Sequence, residues 1–264
     1  MSGKRIRLVF GMMLAGALAA SAQAQQPPAE WSKPPSIFHG VVSTSGNSRD
    51  ISTDELRQAL MDSSAIILDA RPYEEYAVSH IPAARSIRGK PGTTPALYVA
   101  DSSEVVETLP DRDQALILYC NGLYCGRSER FADELMDLGY ANVRRYQLGA
   151  PGWRALGGVM QVEKPALLGL LEQDKTAVLI DGRALAGGKP RLKNAVWIPL
   201  RDASKAKDDG RLPMTDHNTR IFVVAGDGKE ARNVAEAIVH DAFHNVTFFD
   251  GTIADLPELL DEEA

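Results

Sequence analysis

Cysteine is nearly absent from this chain: Cys120 and Cys125 are the only two among 264 residues. The half that follows them therefore has no thiol chemistry of its own, and a thioredoxin-type Cys-x-x-Cys is missing. Histidine is also scarce. His39, His217, His240 and His244 show no ligand spacing with the cysteines, so no metal site is expected. Positive charge is not in excess, the formal net charge being −6. Neutralising phosphates needs clustered Lys and Arg, so nucleic acid is not an expected partner. Past residue 24, no apolar run is long enough to span a membrane.

What is present starts with Lys4, Arg5 and Arg7, an apolar run from Leu8 to Ala20, and Ala22-Gln23-Ala24. A charged head, a short apolar stretch and an A-x-A site predict a secretory signal peptide over residues 1–24. The run is too short and too rich in small residues to be an anchor. The expectation is export to a bacterial periplasm, an oxidising compartment where neighbouring thiols pair. Residues 25–48, rich in Pro, Ser and Gly, are expected to be a linker or N-terminal arm. The remaining length suits two domains of about 110 residues.

Those domains are predicted over 49–159 and 160–264, because one order of elements is written twice. Ser52-Thr53-Asp54-Glu55 is a capping box ahead of a helix through Leu60. Ala65 to Asp69 is a short buried strand closed by Asp69-Ala70-Arg71, and Tyr73 to Ala77 a short helix. His80-Ile81-Pro82 leads to a strand near Arg85 to Arg88, and a polar insertion follows. Ala115 to Tyr119 is a strand, the cysteine loop comes next, and a helix runs from Ser128 to a stop at Gly139. Val143 to Tyr146 is another strand. The second unit answers with Ala177–Asp181, Asp181-Gly182-Arg183, Arg220–Val224, a helix over Lys229–Val239 and Asn245–Phe249. Strands alternating with helices and buried on both faces predict an α/β chain with two parallel sheets flanked by helices.

The candidate site is the loop Cys120-Asn121-Gly122-Leu123-Tyr124-Cys125-Gly126-Arg127-Ser128. A strand that curls into a helix start points backbone N–H groups inward, and the helix dipole adds positive charge. Such a cradle lowers a thiol's pKa, and the thiolate is the reactive form. The bland alternative is a cysteine packed as a small hydrophobe. Asn121 either aims its amide into the loop or belongs to an ordinary Asn-Gly turn. Arg127 either positions an anion or is a first-turn arginine of the helix. Asp69 and Arg71 lie at a strand end, where open α/β sheets place ligands, but a structural pair stapling the turn is the favoured reading. His80 is expected to hydrogen-bond backbone, and Trp153 to pack.

Taken as a set, Leu68-Asp69-Ala70-Arg71, His80-Ile81-Pro82-Ala83-Ala84, Tyr119-Cys120 leading to Arg127-Ser128, Gly139-Tyr140-Ala141-Asn142-Val143 and the Gly-x-x-Gly-Trp153 ending resemble the rhodanese (thiosulfate sulfurtransferase) family. The second unit resembles it more weakly, as in tandem rhodaneses that pair a catalytic domain with a silent one. The resemblance implies tandem three-layer domains and a sulfurtransferase without bound cofactor. Cys120 would take a sulfane sulfur from a small sulfur-containing anion such as thiosulfate and pass it to cyanide or a thiol, a partner protein's thiol included. The matching stretch of the second unit, Val224-Ala225-Gly226-Asp227-Gly228-Lys229, holds no cysteine, and Asp227 would place negative charge inside a loop built for anions. Family loops count six residues from Cys through Arg, and phosphatase relatives seven. This loop counts eight, which leaves the duty of Arg127 open. Cys125 has three readings: a resolving thiol, a disulfide partner that switches Cys120 off, or a packing residue. Two rival functions remain, a thiol–disulfide redox module using both cysteines and a non-catalytic rhodanese-like binding protein.

Overall fold

The computed structural model describes residues 48–184, 190–241 and 243–261. The expected leader, and the arm up to residue 47, lie outside the described residues. Two five-stranded sheets, every strand pairing parallel to its neighbours, make up the body of the chain.

In the first domain β1 (Arg49–Asp50), α1 (Thr53–Asp62), β2 (Ile66–Asp69), α2 (Tyr73–Val78), β3 (Arg85–Ser86), α3 (Ser102–Thr108), β4 (Leu116–Tyr119), α4 (Arg127–Asp137), β5 (Val143–Tyr146) and α5 (Gly149–Ala155) follow one another. The sheet order is β1-β5-β4-β2-β3, so β4 is its central strand. The second domain runs β6 (Met160–Val162), α6 (Lys164–Gln173), β7 (Val178–Asp181), β8 (Val196–Trp197), α7 (Leu200–Ala203), β9 (Ile221–Val224), α8 (Gly228–Val239) and β10 (Val246–Phe249). Its order, β6-β10-β9-β7-β8, is the first with each strand replaced by its counterpart. The expected duplication is thus real at the level of topology.

Period-two burial explains the layers. Along β4, Leu116 and Leu118 pack with Phe131, Ala132 and Leu135 of α4, while Ile117 and Tyr119 pack with Leu56 and Ala59 of α1. Cys120, next in the alternation, falls on the α4 side. The predicted capping box on α1 is present, with the Ser52 hydroxyl accepting from Glu55 N–H at 3.1 Å and Glu55 accepting from Ser52 N–H at 2.8 Å. Gly139, at φ +92, ends α4. α3 was not foreseen: it lies within the polar insertion, where Asp101 caps it through Ser103 N–H and Val105 buries its inner face.

Candidate functional site

β4 delivers its last residue into a fully buried polar knot. The Tyr119 hydroxyl donates to Asp69 Oδ2 at 2.6 Å and accepts from Ile81 N–H at 3.1 Å. Arg71 grips the same carboxylate, Nε to Oδ1 at 2.9 Å and Nη2 to Oδ2 at 2.6 Å, and reaches the Ser79 carbonyl at 2.7 Å. Burial raises the Tyr119 pKa well above the usual phenol value and Asp69 adds to the rise, so the phenol stays neutral and donates. Burial opposes Arg71's charge, but Asp69's hydrogen bonds and charge outweigh it and the pKa rises. Asp69 and Arg71 are therefore the staple of the strand end, sealed from solvent at 0% and 4% exposure.

The loop springs from that anchor. Cys120 and Cys125 are joined as a disulfide with Cα atoms 6.4 Å apart. A turn closes between them, Cys125 N–H donating to the Gly122 carbonyl at 2.9 Å, with Gly122 at φ +96. The Cys120 sulfur is buried, at 1% exposure, lies 3.1 Å from the Cys125 carbonyl oxygen and receives the Ser128 hydroxyl at 3.6 Å. α4 begins at Gly126 with no side-chain cap. The N–H groups of Gly126, Arg127 and Ser128 meet no acceptor among the described residues. These are the orphan donors of a helix start, and an anion is their natural partner.

The other loop side chains go elsewhere. Leu123 is 43% exposed and Tyr124 fully exposed, so both sit on the rim. Asn121 donates to Glu75 Oε2 at 2.5 Å, and Arg127 lies 3.5 Å from Glu75 Oε1 with its guanidinium over the Tyr98 ring at 5.9 Å. Glu75, on α2, was not singled out from sequence, since nothing in Tyr-Glu-Glu-Tyr marks a carboxylate that crosses to another loop. Gly149 was read only as part of the Gly-x-x-Gly-Trp153 ending, and its place against the cysteine loop was not foreseen. It sits at φ +61, and a Cβ there would lie 2.2 Å from the Cys120 carbonyl oxygen and 2.4 Å from Gly122 N. Beside the loop is a cleft of about 200 Å³ lined by Tyr98, Arg127, Arg130 and Phe131. A larger cleft of about 600 Å³ in the second domain, walled by Leu168, Leu171 and Leu179, shares no residue with the loop.

The second domain builds the same strand-to-helix turn and fills it from within. Asp227 caps α8 by accepting from Glu230 N–H at 2.7 Å. The Glu230 carboxylate accepts from Gly226 N–H and Ala184 N–H, each at 2.9 Å. Asp181 and Arg183 repeat the strand-end staple at 2.8 and 2.6 Å. The expected negative charge is there, supplied by two carboxylates.

His80 behaves as expected of a structural residue. Its Nδ1 is bonded to the Tyr76 carbonyl at 2.9 Å, its ring stacks on Tyr76 at 3.8 Å, and burial lowers its pKa to about 4. Trp153 is buried and donates to the Val159 carbonyl at 2.8 Å. No group of three or more His, Cys, Asp or Glu side chains suited to a metal occurs among the described residues. No helix among them is long and apolar enough to cross a membrane.

A cysteine at the carboxyl end of the central strand of a parallel α/β sheet, in a loop that opens onto an uncapped helix, defines a thiol-bearing α/β domain. Residues 52–156 match the family model described as Rhodanese-like domain. No curated protein matches the chain. Among solved structures, the BH2092 protein of Bacillus halodurans is 24% identical over 41% of this chain and 73% of its own, with a TM-score of 0.35. The thiosulfate sulfurtransferase from Pseudomonas aeruginosa is 19% identical over 77% of this chain and 41% of its own, at 0.34. SseA from Escherichia coli, described among 3-mercaptopyruvate sulfotransferases, is 20% identical over 78% of this chain and 99% of its own, at 0.35. At these scores none of the three bears on the chemistry.

Proposed function

We propose that the chain is an exported sulfurtransferase that carries sulfane sulfur on Cys120, with the second domain catalytically silent. The observation that carries this reading is the placement of Cys120 against the uncapped start of α4, with the Ser128 hydroxyl on its sulfur. The contrast with the self-filled turn of the second domain supports it.

In the reduced state the Cys120 thiolate attacks the outer sulfur of a donor such as thiosulfate. The donor's S–S bond breaks, sulfite leaves with the electron pair, and a Cys120 persulfide anion remains. Loop N–H groups and the α4 dipole hold that anion. Cyanide or a thiolate then attacks the terminal sulfur and Cys120 leaves as thiolate. Arg127 and Arg130, beside the adjoining cleft, provide positive charge for an anionic donor. The disulfide sets a precondition: Cys120 is buried and bonded, so transfer begins only after a reductant opens the pair.

That same bond favours a second reading, a dithiol–disulfide module. Thiosulfate-to-cyanide transfer by the reduced protein separates the two. Cys120→Ser abolishes transfer and Cys125→Ser retains it, without need of prior reduction, if sulfur transfer is the function. Loss of activity in Cys125→Ser, with dithiol-dependent turnover in the wild type, would establish the redox module instead. Mass spectrometry of reduced protein after thiosulfate should find one added sulfur atom on Cys120.

A further inference from the structure

The seam between the domains contains an arrangement that sulfur transfer does not use. Arg154, from α5, and Arg220, just ahead of β9, line one cleft of about 50 Å³ together with Ser79, Asn245 and Thr247. Neither arginine forms an ion pair among the described residues. Arg154 donates from Nη2 to Ser79 Oγ at 2.7 Å and from Nη1 to Asn245 Oδ1 at 3.5 Å, both neutral partners. Its Nε is buried and meets no acceptor among the described residues. Asp174, whose carboxylate feels the charge of Arg220, lies outside the lining of the cleft and already holds Thr176. Burial lowers the Arg154 pKa, and the charges of Arg71 and Arg220 lower it further.

Two cations sharing a partly dry cleft, with an orphan guanidinium N–H and no carboxylate lining it, leave positive charge in excess there. We propose that this seam is a binding site for a small tetrahedral oxyanion of the sulfate, phosphate or thiosulfate type, clamped between Arg154 of the first domain and Arg220 of the second. Guanidinium groups match such oxyanions with paired N–H donors, and Ser79 adds a hydroxyl. Size restricts the ligand. One water needs about 10–15 Å³ of such space, so this cleft holds a few waters or one tetrahedral anion, and excludes a nucleotide or a peptide. A ligand bound to both arginines ties the two domains together. It also sits one residue contact from the cysteine anchor, because Ser79 holds Arg154 through its hydroxyl and Arg71 through its carbonyl.

This site stands apart from the proposed activity, and its test reads binding rather than transfer. The full-length, disulfide-bonded protein is titrated with sodium sulfate, phosphate and thiosulfate against sodium chloride at matched ionic strength, by calorimetry and by Tm. The expected result is a saturable heat and a saturable rise in Tm. Arg220→Gln, which removes a side chain bonded to nothing else described, should weaken the apparent Kd about tenfold or more. Ser79→Asp supplies a carboxylate in place of the ligand and should abolish the anion response. Equal responses to sulfate and phosphate identify a general oxyanion site; a response confined to thiosulfate and lost in Arg220→Gln assigns it to the sulfur donor. No saturable response to any of the three beyond chloride, or an unchanged Kd in Arg220→Gln, overturns the proposal.

Discussion

Gly149 shows how much a single missing Cβ contributes to the loop. It follows β5 at φ +61, and its open face lets the backbone of Cys120 and Gly122 pass within van der Waals contact while Ala150 N–H donates to the Cys120 carbonyl at 3.0 Å. Gly149→Ala adds left-handed strain and a collision with main chain, which cannot swing aside as a side chain can. We expect a loss of about 2–4 kcal/mol in urea unfolding, and slowed sulfur transfer in whatever fraction stays folded. His80 offers a residue-scale test with pH. Burial holds its pKa near 4 against an ordinary 6.5, so between those values the unfolded chain binds a proton that the folded one refuses. Its stabilising contribution is complete above about 6.5 and falls away as pH drops toward 4, by up to about 3 kcal/mol. Glu163, 3.7 Å from His80 Nε2, has its pKa raised by burial and acts in the opposite sense. The comparison is therefore of Tm against pH for wild type and His80→Gln. The wild type should lose the more stability between pH 6.5 and 4, and parallel curves would refute the assignment.

At the scale of elements, α2 and the cysteine loop are held together by one carboxylate. Glu75 takes Asn121 and attracts Arg127, so the residue best placed to meet an anionic donor is partly neutralised in the oxidised protein. Glu75→Gln keeps an amide oxygen for Asn121 and frees the charge of Arg127. Surface pairs of this kind are worth about 1 kcal/mol or less, so Tm should move little while KM for thiosulfate falls about threefold and kcat holds. An unchanged KM would remove Arg127 from donor binding. What the sequence revealed follows the range of the forces involved. β4, the loop and α4 were readable because an apolar run, a glycine turn and an amphipathic helix are each local signals. The Asp69–Arg71 staple was readable as a favoured alternative, being only two residues apart. Glu75 was not, because its partners lie about 50 residues away in the chain and it looks like any helical glutamate. Nor was the state of Cys125: spacing allows a disulfide, a resolving thiol or packing alike, and only the curl of the loop brings the two Cα atoms to 6.4 Å.

Over the whole molecule, duplication gives two equivalent turns, one left open to an outside anion and one closed by Glu230 and Asp227. The silent copy still has structural work, because its edge strand β6 completes the first domain. His80 N–H donates to the Gln161 carbonyl at 2.9 Å and Gln161 N–H returns to the His80 carbonyl at 2.8 Å, an antiparallel bridge across the seam. Glu163 N–H adds a bond to the Ala77 carbonyl at 2.9 Å. Both backbone polar groups of Gln161 face the first domain, as does its side-chain oxygen, which accepts from Ala83 N–H at 3.2 Å, so its neighbours Met160 and Val162 carry the β6–β10 ladder. Gln161→Pro therefore deletes two seam hydrogen bonds, one from its N–H and one to its side chain, and leaves the second sheet paired. If the domains fold as one unit through this seam, calorimetry of the wild type should give a single transition, and Gln161→Pro should split it into two. A single, undisplaced transition in the variant would mean that apolar packing around Met160 and Trp153 couples the domains without the bridge.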